Sequence, residues 1–168
     1  MKLTPNRTAR TGQGPLPWLA LSVAVLLADF FTKLYFESTY YLGEVRPVTS
    51  FFNLVLAHNR GAAFSFLAGH DGWQLYLFSI IALAAAAACL IFIIRQPGKR
   101  LFCLALSLIM AGALGNLIDR LLYGYVVDFL DFHLGYWHWP AFNVADIGIV
   151  CGAALLILES FLERSDPS

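Results

Sequence analysis

The chain has 168 residues, of which 59% are apolar and only 13% charged, with eleven Lys and Arg balanced by eleven Asp and Glu. A soluble domain of this size has too little interior to hide so much apolar surface. The zero net charge leaves no basic surplus for phosphates, which argues against nucleic acid as a partner.

Four stretches are apolar over roughly 17 to 25 residues, the length that crosses a hydrocarbon core of about 30 Å at about 1.5 Å per residue. They run from about Trp18 to Phe36, Trp73 to Ile94, Leu101 to Leu122 and Pro140 to Leu162. Each is expected to be a helix, because lipid offers the backbone no hydrogen-bond partner. The fold expected is therefore an all-α membrane protein of four transmembrane helices, one domain over residues 1–168, with no internal repeat.

Residues 1–16 form a basic arm with Lys2, Arg7 and Arg10 and no acidic residue, expected to be mobile and cytoplasmic. The apolar run that follows continues to Phe36 without a small-x-small cleavage site, so it reads as an uncleaved signal anchor. Late in this first span come Asp29 and Lys33, four residues apart and so on one helix face. The long loop after it, from about Glu37 to Gly72, is rich in Val, Phe, Tyr and Thr and punctuated by Gly and Pro, which favours short strands forming a small sheet on the membrane surface. It carries Asn59 and Gly61 in HNRGAAFS.

The second span contains five consecutive alanines, Ala84 to Ala88, suited to close helix approach. Arg95, Lys99 and Arg100 then form a short loop without acidic residues. With the basic N-terminus, the positive-inside rule puts this loop and both termini in the cytoplasm, and the two long loops outside. The third span ends with Asn116, Asp119 and Arg120, again on one side of a helix. The loop from Tyr123 to Trp139 mixes aromatic rings suited to the headgroup layer with Asp128 and Asp131. The fourth span opens with Asn143 and Asp146 and carries a small-residue stripe, Ala141, Ala145, Gly148 and Gly152, for packing on another helix.

Ionisable groups inside spans cost a few kcal/mol each and require a reason. In this topology Asp29, Lys33, Asn116, Asp119, Arg120, Asn143 and Asp146 all fall at similar depth near the outer face, where Asp128 and Asn59 can join them. Two carboxylates held together share a proton, one serving as base on a water and the other as acid on a carbonyl. Asp29 has Lys33 one turn on and Asp119 has Arg120 beside it, whereas Asp128 and Asp146 have no basic neighbour and are the better pair. Asp131 also lacks one, but strand alternation turns it to the face opposite Asp128. The histidines lack the spacing of a zinc site, Ser65 lacks a nucleophile motif, and Cys89, Cys103 and Cys151 lie in spans as packing residues.

The motifs DFFTK (29–33), HNRGAAFSF (58–66), GALGNLIDR (112–120), VVDF (126–129) and FNVAD (142–146), in this order with four spans, resemble the lipoprotein signal peptidases, or signal peptidase II. The resemblance covers almost the whole chain. It implies an aspartic endopeptidase of the bacterial cytoplasmic (inner) membrane that needs no cofactor or metal. Its substrate would be a prolipoprotein, cut just before a cysteine bearing a diacylglyceryl group, and Asp128 and Asp146 would be the catalytic pair. Asp29, Lys33, Asn59, Gly61, Asn116, Arg120 and Asn143 match the family's supporting positions. The resemblance further implies an amphipathic segment and small sheet on the outer face; a monomer surrounded by membrane lipids is expected. One departure is Phe30, where the first motif usually has Gln. The alternatives are a small transporter or proton-conducting subunit, which requires polar residues continuing to the inner face, and a structural subunit whose polar groups only pin helices.

Overall fold

A computed structural model describes residues 14–61 and 73–164 of the chain. Its four long helices are α1 (Leu16–Thr39), α2 (Trp73–Arg95), α3 (Arg100–Tyr123) and α4 (Val144–Arg164), each apolar and long enough to cross a membrane. The expected spans are thus found within a few residues of their limits. Residues 1–13 of the basic arm, Ser65 and His70 lie outside the described residues, and Leu16, expected in the arm, already belongs to α1.

Helix α3 is the centre of the bundle, with 61% of its span buried against 17–22% in the other three. Small residues set the closeness of its packing on α4. A Cβ at Gly112 would overlap the Ala145 carbonyl, and one at Gly152 would lie 2.6 Å from the carbonyl oxygen of Ala105. Within the helix the small stripe of the fourth span is Ala145, Gly148 and Gly152, since Ala141 precedes it. On the opposite side of α3, Ala86, Cys89 and Ile93 of α2 pack on Leu106, Met110 and Ala113. The packing role expected of the cysteines holds for Cys89 and Cys103, which are buried, whereas Cys151 is exposed on the outside of α4.

At one end of the bundle sits an antiparallel sheet of β1 (Val45–Pro47), β2 (Phe52–Asn59), β3 (Val126–Leu134) and β4 (Trp137–His138), in that order. The first long loop forms β1 and β2, and most of the second is strand β3. Among the described residues no helix beyond the four spans accompanies the sheet. Gly124 ends α3 in the left-handed region (φ 76°), its N–H bonded to the Arg120 carbonyl at 3.1 Å, and turns the chain directly into β3. Val127 and Phe129 then bury against Phe36 and Tyr40 at the end of α1, with the Phe36 and Phe129 rings stacked at 4.3 Å. Burying those rings fixes the sheet, and with it β3, onto the bundle.

Candidate active site

The polar residues of α1, α3 and α4 converge with β3 where the sheet meets the bundle. Asn143 immediately precedes α4. Its Oδ1 accepts the Asp146 N–H at 2.9 Å, while the Asp146 carboxylate accepts the Asn143 N–H at 3.3 Å. This reciprocal capping box satisfies two unpaired donors and sets Asp146 in the first helical turn. The Asp29 carboxylate, reaching across from α1, accepts the Ala145 N–H at 2.8 Å and supplies a third partner to the same helix end.

Lys33 is the buried hub. Its ammonium has three hydrogens and three partners: Asp29 at 2.8 Å, Asp119 at 3.0 Å and the Asn116 side-chain oxygen at 3.0 Å. The sequence paired Asp119 with Arg120; the structure pairs it with Lys33 instead. Adjacent helical residues point about a quarter-turn or more apart, so Arg120 turns away, donating to the Asn116 carbonyl at 3.2 Å and lying 5.3 Å from the Phe78 ring. Asp119 also accepts the Val127 N–H at 3.0 Å, tying β3 to α3 next to Asp128.

Three asparagines carry this order to Asp128 and Asp146, and each amide has its orientation fixed by a group that can only donate. Lys33 requires the oxygen of Asn116, so the Asn116 NH2 faces Asp146 at 2.8 Å. The Asp146 N–H requires the oxygen of Asn143, so its NH2 faces Asp128 at 2.7 Å. The Gly61 N–H requires the oxygen of Asn59 at 2.9 Å, so its NH2 faces the other Asp128 oxygen at 2.9 Å. Gly61 itself has φ 93°, the left-handed conformation that a side chain would strain. Burial of Asp128, 2% exposed, and next the nearby charge of Asp146 hold its carboxyl up to about 7 against an ordinary 3.8. Asp146 is only half-buried and provides the open side of the pair.

Every supporting residue expected from the sequence thus lies in or beside one network. Asp119, expected in this polar set as a partner of Arg120, belongs to it through Lys33 and Val127, and Gly115, which the sequence does not mark, belongs to it as well. A Cβ at Gly115 would press on the Asp29 carboxylate, so this glycine lets α1 reach α4 across α3. The i, i+3 spacing that puts Asp119 on the face of Asn116 is the sequence signal for its place in the network. Phe30, 38% exposed, lines a crevice of about 10 Å³ beside Lys33 and Asp119, room for about one water. Asp131 turns to the other face of β3, bonded to Asn53 at 2.8 Å and His138 at 2.9 Å. His133 stacks on His138 with centroids 4.9 Å apart, and among the described residues no group of three side chains is placed to hold a metal. His58 pairs with Glu37 at 2.8 Å and stacks on Tyr125.

A family model described as signal peptidase (SPase) II matches residues 21–162. A lipoprotein signal peptidase from Ralstonia nicotianae is 58% identical over 148 residues, covering 88% of this chain and 86% of that protein. One from Janthinobacterium sp. (strain Marseille) is 53% identical over 144 residues, covering 86% of this chain and 87% of that one. Among solved structures, a bacterial membrane enzyme determined at 2.3 Å resolution superposes with a TM-score of 0.79 at 32% identity, covering 90% of this chain and 92% of that chain.

Proposed function

Because this chain belongs to the signal peptidase II family, we propose that it removes signal peptides from prolipoproteins by aspartic peptidase chemistry, with Asp128 and Asp146 as the catalytic pair. The observation that carries this reading is the convergence of the two carboxylates, from a strand and a helix, onto asparagines that each present an N–H to one of them. Asp128, which keeps its proton to about neutral, is the acid, and Asp146, on the open side, is the base.

Asp146 takes a proton from a water as its oxygen attacks the scissile carbonyl carbon, while Asp128 gives its proton to the carbonyl oxygen. Collapse of the resulting diol breaks the C–N bond, the amine leaves with a proton from the pair, and a new carboxyl remains on the signal peptide. Asn143 and Asn116 hold the carboxylates in place, so little reorganisation is required during reaction. Lys33, Asp29 and Asp119 act through them as positioning residues, and Arg120 and Asn59 flank the space where substrate backbone lies.

The active site faces outward. Arg95, Lys99 and Arg100 lie at the end of the bundle opposite the site, which the positive-inside rule makes cytoplasmic, together with both termini of a protein in the bacterial inner membrane. The substrate enters sideways from the bilayer and is cut before its diacylglyceryl cysteine, a bond that the lipid holds at fixed depth where water reaches. A proton-conducting path is not favoured. Between the site and the opposite end of the bundle, the buried polar side chains among the described residues are Ser22 and Ser107, and Ser22 bonds to the Ser107 carbonyl at 3.0 Å.

The test is incubation of the purified protein in micelles with a diacylglyceryl-modified prolipoprotein, with both products sequenced by mass spectrometry. A cut immediately before the modified cysteine, unaffected by a chelator or by serine-acylating reagents, supports the reading. No cut, or a cut that a chelator abolishes, refutes it.

A further inference from the structure

The hydrolytic mechanism uses only the buried end of one face of β3. Asp128, Leu130, Phe132 and Leu134 alternate onto that face, and exposure climbs along it from 2% at Asp128 to 42% at Phe132 and 80% at Leu134. Around Phe132 the face opens into an apolar trough of about 400 Å³, walled by Phe51, Phe132, Leu134, Trp137, Trp139 and Phe142, with His133 as the one ionisable residue in its lining among the described residues. That volume is within the range of about 300–1,000 Å³ typical of small-ligand sites. Phe132 stacks on Phe142 at 5.9 Å and on Phe51 at 6.4 Å, so the rings form a continuous wall.

The trough is unsuited to peptide. Strand β3 is paired on one side with β2. On the other it is paired with β4, with the Trp139 N–H bonded to the Phe132 carbonyl at 2.8 Å, and with Phe142 bridged to Leu130. No edge remains for another strand, and rings offer nothing to a backbone that must satisfy its own N–H and C=O groups. The fitting occupant is hydrocarbon. Four steps along the strand lead from Asp128 to Phe132, about 13 Å at about 3.3 Å per residue. A thioether, a glycerol and an ester on the cysteine next to the scissile bond bridge most of such a distance.

Resting on the peptidase reading above, we propose that this trough is the subsite for an acyl chain of the substrate's lipid-bearing cysteine, taking its first methylenes beyond the ester. One strand then holds both the lipid and the bond to be cut. Its length works as a ruler that selects a lipid-modified residue at the correct position. The gain arises mainly from covering the rings, since Phe51, Trp137 and Trp139 are each more than half exposed without a chain over them.

The experiment compares wild type with Trp137→Ser/Trp139→Ser in detergent micelles on two substrates of identical peptide, one carrying diacetylglyceryl and the other dipalmitoylglyceryl. Phe51→Ser repeats the test from the opposite wall and carries it if the double variant fails to fold. Tyr136→Ser, fully exposed outside the trough, is the control. Wild type should favour the long-chain substrate through KM. The trough variants should lose about tenfold of that preference, equivalent to about two methylenes returned to water, while Tyr136→Ser retains it. An unchanged preference, or an equal loss on both substrates, overturns the proposal. A loss confined to vesicles also overturns it and assigns the rings to anchoring in the bilayer. If wild type cuts neither substrate, the peptidase reading itself fails, a result distinct from the others.

Discussion

Lys33→Met removes the buried ammonium while keeping much of the side chain's length and apolar volume. Lys33, Asp29 and Asp119 are 3%, 1% and 4% exposed, so bulk water does not take the place of the lost partner. Removing one member of a buried ion pair typically costs about 3–5 kcal/mol. Here one cation serves two carboxylates, at 2.8 and 3.0 Å, which places the expected loss at the upper end of that range. The loss is measured by denaturant unfolding in micelles. Cleavage should fall as well, because Asn116 is no longer forced to turn its NH2 to Asp146. The triple variant Lys33→Met/Asp29→Asn/Asp119→Asn separates the two effects. It removes the uncompensated charge while leaving amide oxygens for the Ala145 and Val127 N–H groups, so it should regain at least half of the lost stability without regaining activity. A Lys33→Met protein within about 1 kcal/mol of wild type and fully active would refute this account of the network.

The pH dependence follows from Asp128, whose carboxyl is raised from 3.8 to about 7, so that the folded state binds the proton more tightly than the unfolded chain. Stability from this group is present below about pH 4 and is lost as pH rises to about 7, by up to about 4 kcal/mol. Asp128→Asn should remove most of that slope in unfolding measured from pH 4 to 8, and wild-type kcat should decline above about pH 7 as the acid is lost. Asn143→Ala should cost about 1 kcal/mol or more for the lost helix cap and slow cleavage about a hundredfold by releasing Asp128, as read from unfolding and kcat. Gly112→Ala, which forces α3 from the Ala145 carbonyl, should destabilise by about 1–3 kcal/mol in the same unfolding assay, whereas Gly98→Ala, with nothing within 4 Å of the added Cβ, should not.

Much of this architecture is legible in the chain because lipid simplifies the rules. Hydropathy and length identify the four spans, and helical spacing puts Asp29 with Lys33 and Asn116 with Asp119 on common faces. The absence of basic neighbours singles out Asp128 and Asp146, and strand alternation sends Asp131 to the opposite face. The errors have equally physical origins. Arg120 adjoins Asp119 in sequence, but neighbouring helical side chains diverge, and the cation that reaches Asp119 comes from a different helix. The apolar run places the start of the fourth span at Pro140, yet the capping box at Asn143 and Asp146 sets the helix start at Val144, four residues later. The aromatic trough depends on which residues of β2, β3 and β4 fall opposite one another, a long-range register that no local pattern reveals.

The most direct measurement is cleavage of a diacylglyceryl-modified prolipoprotein by purified wild type, Asp128→Asn and Asp146→Asn, with the fold of each checked by its unfolding transition. Cleavage by wild type with both folded variants inactive is the expected result. Cleavage at the wild-type rate by either folded variant would contradict the assignment of Asp128 and Asp146 as the catalytic pair.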